Sequence, residues 1–246
     1  LYRWGKTPVG AVEIGEGEQM NGKLYGVGVG PGDPELVTLK AARLIAGCDR
    51  LAFPSSGDRV AYTIACGAVP QAAQKPVLEL ELPMTRDAQA LEYSRQQAAE
   101  QLAACLERGE QVVFLTIGDV SIYSTYTYLQ ALVRRMGYAV EMVPGVPSFC
   151  AVAARLGAPL VEGGTPLHLL PASYAGTEQA LDWPGTKVLM KSGRSLEQVA
   201  QALHRRGLGD KTQAVEQCGL PGEQVYGCLE ALEGQAHYLT TLVVTD

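Results

Sequence analysis

Residues 23–41 read Lys-Leu-Tyr-Gly-Val-Gly-Val-Gly-Pro-Gly-Asp-Pro-Glu-Leu-Val-Thr-Leu-Lys-Ala. Residues 24–29 form a short apolar β-run, and glycines at 26, 28, 30 and 32 alternate across its end. Asp33-Pro34 then supplies an N-cap residue followed by proline at the first helical position. Leu36, Leu39, Leu44 and Ile45 keep helical spacing, so the pattern predicts one helix from Pro34 to Gly47. Strand, glycine loop, helix is a βα unit in which backbone must approach something closely. A pyrophosphate is a poor fit: counted from Gly28, the third glycine of the dinucleotide fingerprint falls on Asp33, where a carboxylate would face the phosphates. No Gly-Lys-Ser/Thr follows, so the P-loop pattern fails as well. A tight turn capped by Asp33, with no ligand, is the alternative reading of the loop.

Moving outward, the alternation repeats. Residues 51–53 regain strand character, 78–82 (LELEL) are strand-like, and a long helix is expected over 91–108, ended by Gly109. Residues 111–117 (QVVFLTI) are the strongest buried-strand signal in the chain. A helix over 125–136 with Gly137 as C-cap, a strand over 139–143, a Pro144-Gly145 turn and a helix over 148–156 ended by Gly157 complete one half. After a Gly/Pro-rich stretch at 162–166, strands are expected at 167–170, 187–191, 213–216 and 238–245, with a helix opened by Ser195, whose capping-box partner would be Gln198. Strands alternating with helices imply an α/β fold with largely parallel sheet. The region 144–166 is the best place to divide it, giving domains of residues 20–144 and 145–246. Residues 1–19 hold four glycines and no periodicity, and read as an unstructured extension, a cloning remnant or residues upstream of the true start.

The 246 residues are 47% apolar and 19% charged, with a formal net charge of −6, a globular composition without the basic footprint of a nucleic-acid binder. No apolar run reaches the ~18–20 residues of a membrane span. The six cysteines (48, 66, 105, 150, 218, 228) are scattered without a CxxC pair and read as reduced thiols, and the three isolated histidines give no metal-ligand spacing.

The loop Ile117-Gly118-Asp119 follows the strongest strand, and ligands of open α/β sheets sit beyond the carboxyl ends of strands. Its continuation, Val120-Ser121-Ile122-Tyr123-Ser124-Thr125-Tyr126, sets hydroxyls and aromatic faces beside a glycine, a wall suited to a ribose and a heterocycle. The competing reading makes Asp119 a helix cap and the tyrosines core residues.

Taken in order, Gly28 to Ala41, the Gly118-Asp119 loop and Val143-Pro-Gly-Val-Pro-Ser148 resemble the tetrapyrrole methylase family, over almost everything after Met20. The resemblance implies two αβα domains with mostly parallel sheets of the class III methyltransferase type, an S-adenosylmethionine cofactor in the cleft between them, a tetrapyrrole substrate, a homodimer, and a cytoplasmic enzyme with no metal of its own. Phe53-Pro-Ser55, Leu80-Glu-Leu-Pro-Met-Thr-Arg-Asp87, Gly118 to Tyr126 and Val188-Leu-Met-Lys191 are similar to the branch that methylates carbon 20 of precorrin-2 or cobalt-factor II in cobalamin biosynthesis. Pro54 stands where uroporphyrinogen methyltransferases have an aspartate proposed as base, and Val120 where the family usually has proline.

Carried over by the resemblance, the cofactor positions are Pro31, Gly118, Asp119, Ile122, Ser148, Met190, Lys191, Cys218, Thr240 and Thr241. Family contacts there are largely backbone. Tyr123, Tyr126 and Asp87 are the candidate catalytic or positioning groups, and Arg59, Arg86 and Arg194, with Lys191, the candidate cations for a carboxylate-bearing macrocycle. Two other classes stay open at this point: a relative acting on another corrinoid carbon or on a non-tetrapyrrole, and a nucleotide-binding oxidoreductase or non-catalytic binding protein. The glycine spacing disfavours the latter.

Overall fold

The computed structural model describes residues 22–55, 59–85, 87–172, 174, 176–232 and 238–245. The strand of the opening motif, β1 (Lys23–Gly28), is the fourth of five in a sheet completed by β2 (Arg50–Pro54), β3 (Val77–Leu80), β4 (Gln111–Thr116) and β5 (Ala139–Val143), in the order β3-β2-β4-β1-β5. Every pairing in it is parallel, with Lys23 opposite both Gln111 and Ala139. Parallel strands need long crossovers, and the helices that make them cover both faces. α1 (Leu39–Gly47) and α2 (Val60–Ala68) pack on the face of Val27, Leu51 and Leu115, and α3 (Ala88–Glu107) and α4 (Tyr126–Arg135) on the face of Leu24, Ala52 and Phe114. Because β1 is followed by a helix on one face and its neighbour β4 by a helix on the other, the β1–β4 edge is the switch point of the sheet, and it is beyond the carboxyl ends at such a point that α/β sheets form their ligand crevice.

The second sheet holds β6 (Leu167–Pro171), β7 (Thr186–Met190), β8 (Thr212–Glu216), β9 (Gln224–Tyr226) and β10 (Thr240–Val244), in the order β6-β7-β10-β8-β9. Only β6 and β7 pair in parallel, since β10 enters between β7 and β8 antiparallel to both and β8–β9 is antiparallel too. The expectation of largely parallel sheet therefore describes the first sheet fully, while the second is mixed. One face of the second sheet is covered by α6 (Thr177–Ala180) and α7 (Leu196–Arg205), the other by α5 (Ser148–Leu156) through Phe149 and Val152.

Several local expectations change. The single helix from Pro34 is a 3-10 turn over Pro34–Leu36 and then α1, because Val37 and Thr38 are extended and Thr38 Oγ1 starts a new cap by accepting the Ala41 N–H at 3.2 Å. Ser195 makes no capping bond; it lies in a 3-10 turn, Gly193–Ser195, that leads into α7. α2 and β9 had no expectation of their own. α2 is apolar on several sides and opens on Arg59, which has no side-chain cap bond, so neither periodicity nor a cap signalled it. Residues 1–19 lie outside the described residues. Among the described residues no helix is long and apolar enough to cross a membrane.

Candidate functional site

The crevice is assembled from backbone before any side chain enters it. Gly118 N–H donates to the Gly30 carbonyl at 2.7 Å and Gly30 N–H donates back to the Gly118 carbonyl at 3.3 Å, joining the loops after β1 and β4. The loop after β5 presses into the same place: a Cβ on Gly145 would lie 2.3 Å from the Gly118 carbonyl oxygen, and one on Gly28 would lie 2.7 Å from Gly145 N. A Cβ on Gly32 would lie 2.3 Å from the Cys218 carbonyl oxygen, so the first loop also abuts the loop after β8 in the second sheet. The close approach required by the alternating glycines is in these cases an approach to other backbone.

Asp119 fastens the arrangement. Its buried carboxylate accepts hydrogen bonds from Ser121 N–H at 2.8 Å, from the Ser121 hydroxyl, and from Gly145 N–H at 3.0 Å. It holds its own loop and ties it to the loop after β5, whereas α4 begins at Tyr126 and the residue before it, Thr125, makes no side-chain cap bond. Ser124 adds a bond with Thr116 Oγ1 at 3.2 Å and accepts Tyr126 N–H at 3.1 Å.

Ile122 leaves this loop and packs with Met190 against Phe149, Val188, Val215, Cys218 and Val243, so an apolar wall from the second sheet meets the glycine loops. Pro31, Gly118, Asp119, Ile122, Ser148, Met190, Lys191 and Cys218 thus lie on segments that meet at the junction of the two sheets, with the Ser148 N–H nitrogen 3.6 Å from where a Gly118 Cβ would stand. Thr240 and Thr241 open β10 opposite Glu216 and Val215. Alternation along the strand puts Thr241 on the Val243 side, towards α5, and Thr240 on the side of Leu242 and Val244, away from it. Burial raises the Cys218 thiol to about 11, with Glu223 nearby, so at neutral pH it is an apolar wall atom and not a nucleophile.

The other candidates have different surroundings. Tyr126 is fully buried beneath β1, where a Cβ on Gly26 would collide with its ring; its hydroxyl donates to the Glu141 carbonyl at 2.8 Å and burial drives its pKa far upward. It is a core residue and does not reach the crevice. Asp87 caps α3 by accepting from Gln89 N–H at 2.9 Å and Ala90 N–H at 3.2 Å. Arg59 is paired with Glu79 at 2.6 Å. Tyr123 does reach the junction: its hydroxyl donates to the Leu169 carbonyl of β6 at 2.9 Å, and its own carbonyl accepts the Lys191 ammonium at 3.0 Å. Arg86 and the side chain of Arg194 lie outside the described residues. Gly145 and the Tyr123–Lys191 contact were not anticipated, because each joins segments far apart in the chain and neither carries a local pattern beyond a Pro-Gly turn and a strand end.

The junction offers a backbone cradle, an apolar wall and few charges. Among the described residues no cluster of three or more His, Cys, Asp or Glu could hold a metal ion.

Comparison with known proteins agrees with this geometry. The sequence model described as Tetrapyrrole (Corrin/Porphyrin) Methylases matches residues 23–233. The chain is 33% identical over 234 residues to the cobalt-precorrin-2 C(20)-methyltransferase of Salmonella typhimurium, covering 92% of this chain and 97% of that protein. It is 31% identical to the precorrin-2 C(20)-methyltransferase of a Sinorhizobium species, covering 91% and 95%. Among solved structures, uroporphyrin-III C-methyltransferase of Thermus thermophilus complexed with S-adenosylhomocysteine superposes with a TM-score of 0.70 at 23% identity, covering 91% of this chain and 92% of that one. A cobalt-precorrin-4 methyltransferase gives 0.70 at 22%, covering 90% and 94%. These two likenesses show the shared fold.

Proposed function

The chain belongs to the tetrapyrrole (corrin/porphyrin) methylases, and from that premise we propose that it transfers a methyl group from S-adenosylmethionine to carbon 20 of precorrin-2 or its cobalt-bearing counterpart, in cobalamin biosynthesis. The observation that carries this reading is identity of 31–33% along nearly the whole length of two relatives named for C(20) transfer, over a chain whose strand-end loops converge on one crevice. The reading extends to two domains meeting near residue 145, to a homodimer and to the cytoplasm, the last supported by six cysteines that are all free thiols.

S-adenosylmethionine supplies an already electrophilic sulfonium methyl. When bound, it would pass that methyl group to the ring carbon, with release of a neutral thioether and one proton. This chain's residues do the holding. The Gly28–Gly118–Gly145 contacts and the Asp119 carboxylate keep the cradle rigid, and Ile122 and Met190 exclude water from one side. Alignment of this kind supplies effective molarities of order ~10⁵ M or more. The surroundings of the three candidate groups support positioning over base chemistry: the Tyr123 hydroxyl is donated to a carbonyl and raised by burial, Tyr126 is buried, and Asp87 caps a helix. We assign catalysis to positioning.

Incubation with methyl-labelled cofactor and each macrocycle in parallel tests the function. Label in either product at carbon 20 supports it, and label in neither overturns it.

A further inference from the structure

Among the described side chains, Arg50, Arg95 and Arg206 are the half-buried arginines. Arg50 is paired with Glu110 at 2.7 Å and Arg206 with Asp182 at 2.7 Å. Arg95 has no carboxylate within ion-pair distance and no hydrogen bond among the described residues; its guanidinium carbon lies 3.7 Å from the centroid of the Tyr128 ring. A π-face offsets only part of the solvation that a half-buried cation loses.

The place of Arg95 on its helix is also out of pattern. The buried residues of α3 are Ala98, Ala99, Leu102, Cys105 and Leu106, and Arg95 stands four positions before Ala99 and seven before Leu102, on the same stripe. A cation therefore occupies a site that the amphipathic pattern gives to an apolar residue. In this parallel sheet α3 runs back from the carboxyl end of β3 and α4 from that of β4, so the first two turns of both helices lie at the crevice end. Helix side chains tilt towards the N-terminus, which turns Arg95 further to that end, onto Tyr128 in the first turn of α4. Tyr128 is 51% exposed, so the stack opens to solvent.

Stacking decides what this cation can hold. The ring covers a face of the guanidinium and leaves the donors at its edge, a planar fork that matches a carboxylate. Arg59, a substrate cation by resemblance, is already occupied by Glu79 at 2.6 Å. The positions that the resemblance gives to the cofactor lie off α3 and α4, which leaves the macrocycle as the reactant that the stack faces. We infer that Arg95, seated on Tyr128, is a specificity-determining residue that takes a carboxylate of the macrocycle at the first-sheet rim of the crevice. The inference rests on the methyl-transfer reading and deepens it with a residue outside the motifs that carry the resemblance.

The test uses the full chain with Arg95→Gln, which removes the charge. Steady-state kinetics are run with precorrin-2 or its cobalt-bearing counterpart, whichever the unsubstituted protein methylates, beside calorimetry with S-adenosylhomocysteine and circular dichroism on each sample. KM for the macrocycle should rise by about ten-fold or more, with kcat and S-adenosylhomocysteine affinity within about two-fold of the unsubstituted protein. Raising the ionic strength should raise KM more steeply for the unsubstituted protein than for Arg95→Gln, a response that lost packing would not produce. Arg95→Lys keeps the charge without the fork and should recover only part of the loss. An unchanged KM overturns the inference, and so does an equal loss of S-adenosylhomocysteine affinity, which marks a structural role or a cofactor contact. If the unsubstituted protein methylates neither macrocycle, the methyl-transfer reading falls and this inference with it, whereas turnover with an unmoved KM in the variant removes this inference alone. If Arg95→Gln does not fold, Arg95→Lys takes its place, with a rise in KM of about three-fold expected and an unchanged KM overturning the assignment.

Discussion

On the first-sheet side of the junction, the loops after β1, β4 and β5 meet backbone to backbone, with Gly28, Gly118 and Gly145 leaving no room for a Cβ between the first and the last. On the second-sheet side, the end of β7 and the loops after β7 and β8 present side chains: Met190 in the apolar wall, the Lys191 ammonium, and Glu223 holding the loop that carries Cys218. One wall is made of shape and the other of chemical groups. Substitutions in the first are expected to act through geometry and cost stability, and substitutions in the second through charge and act mainly on ligand binding.

The sharpest way to break this contrast is Gly145→Val. Its Cβ would fall 2.3 Å from the Gly118 carbonyl oxygen and 2.7 Å from the Gly28 carbonyl, both backbone atoms that cannot rotate away. Overpacking of this kind costs about 1–3 kcal/mol or more, so thermal unfolding should fall by several degrees, with S-adenosylhomocysteine affinity lost in the same sample. A stable protein with normal affinity would mean that the loops are not mutually constraining.

Gly118→Ala is milder and separates strain from space. Nothing lies nearer than 3.6 Å to the added Cβ, but φ is +69°, so the cost is conformational, about 1–2 kcal/mol. The variant should fold with a lower melting temperature and weaker cofactor binding in titration. Unchanged stability would show that the loop can relax.

Arg86 sharpens the comparison from the chemical side. As a candidate substrate cation, its replacement by alanine should raise KM for the macrocycle about ten-fold, the equivalent of ~1.4 kcal/mol, with S-adenosylhomocysteine affinity unchanged. Equal loss of both would make the segment structural.

The smallest effect is expected at Glu223, whose carboxylate accepts Gly219 N–H at 2.8 Å and pairs with Arg155. The Gly219 N–H first, and Arg155 after it, hold its pKa below the ordinary carboxylate value of 4.5. A depressed carboxylate contributes stability above its unfolded pKa and loses it as pH falls through the folded one. The difference in unfolding free energy between the parent and Glu223→Gln should therefore be under about 1 kcal/mol at pH 6, begin to shrink as pH falls below 4.5, and vanish only once pH is below the lowered folded value. Denaturant titrations across that range check it, and a pH-independent difference would point to packing instead.

Much of the fold is legible in local pattern. The β4 run Gln111–Thr116 and the β1 run Lys23–Gly28 are short and apolar, and Asp33-Pro34 marks the turn that follows. The split of the helix after Pro34 was not legible, since Thr38 competes with Asp33 as a cap and spacing alone does not say which wins. The mixed order of the second sheet was not legible either, because β10 chooses its neighbours from across the chain. At the site, Asp119 and the Tyr123 to Tyr126 stretch stood out by residue type alone. Their roles diverged through depth: Tyr126 lies under a strand while Tyr123, three residues earlier, reaches the second sheet.

By itself the sequence determined the alternation of strand, glycine loop and helix, the exclusion of a pyrophosphate fingerprint and the motifs of the methylase family, because these depend on residues a few positions apart. Tertiary structure alone decided that the glycines at 28, 32 and 145 admit other backbone, that Asp119 ties two loops and caps no helix, and that the Lys191 ammonium bonds the Tyr123 carbonyl. Those outcomes depend on which distant segments the two sheets bring to one edge, and no local period encodes such a contact.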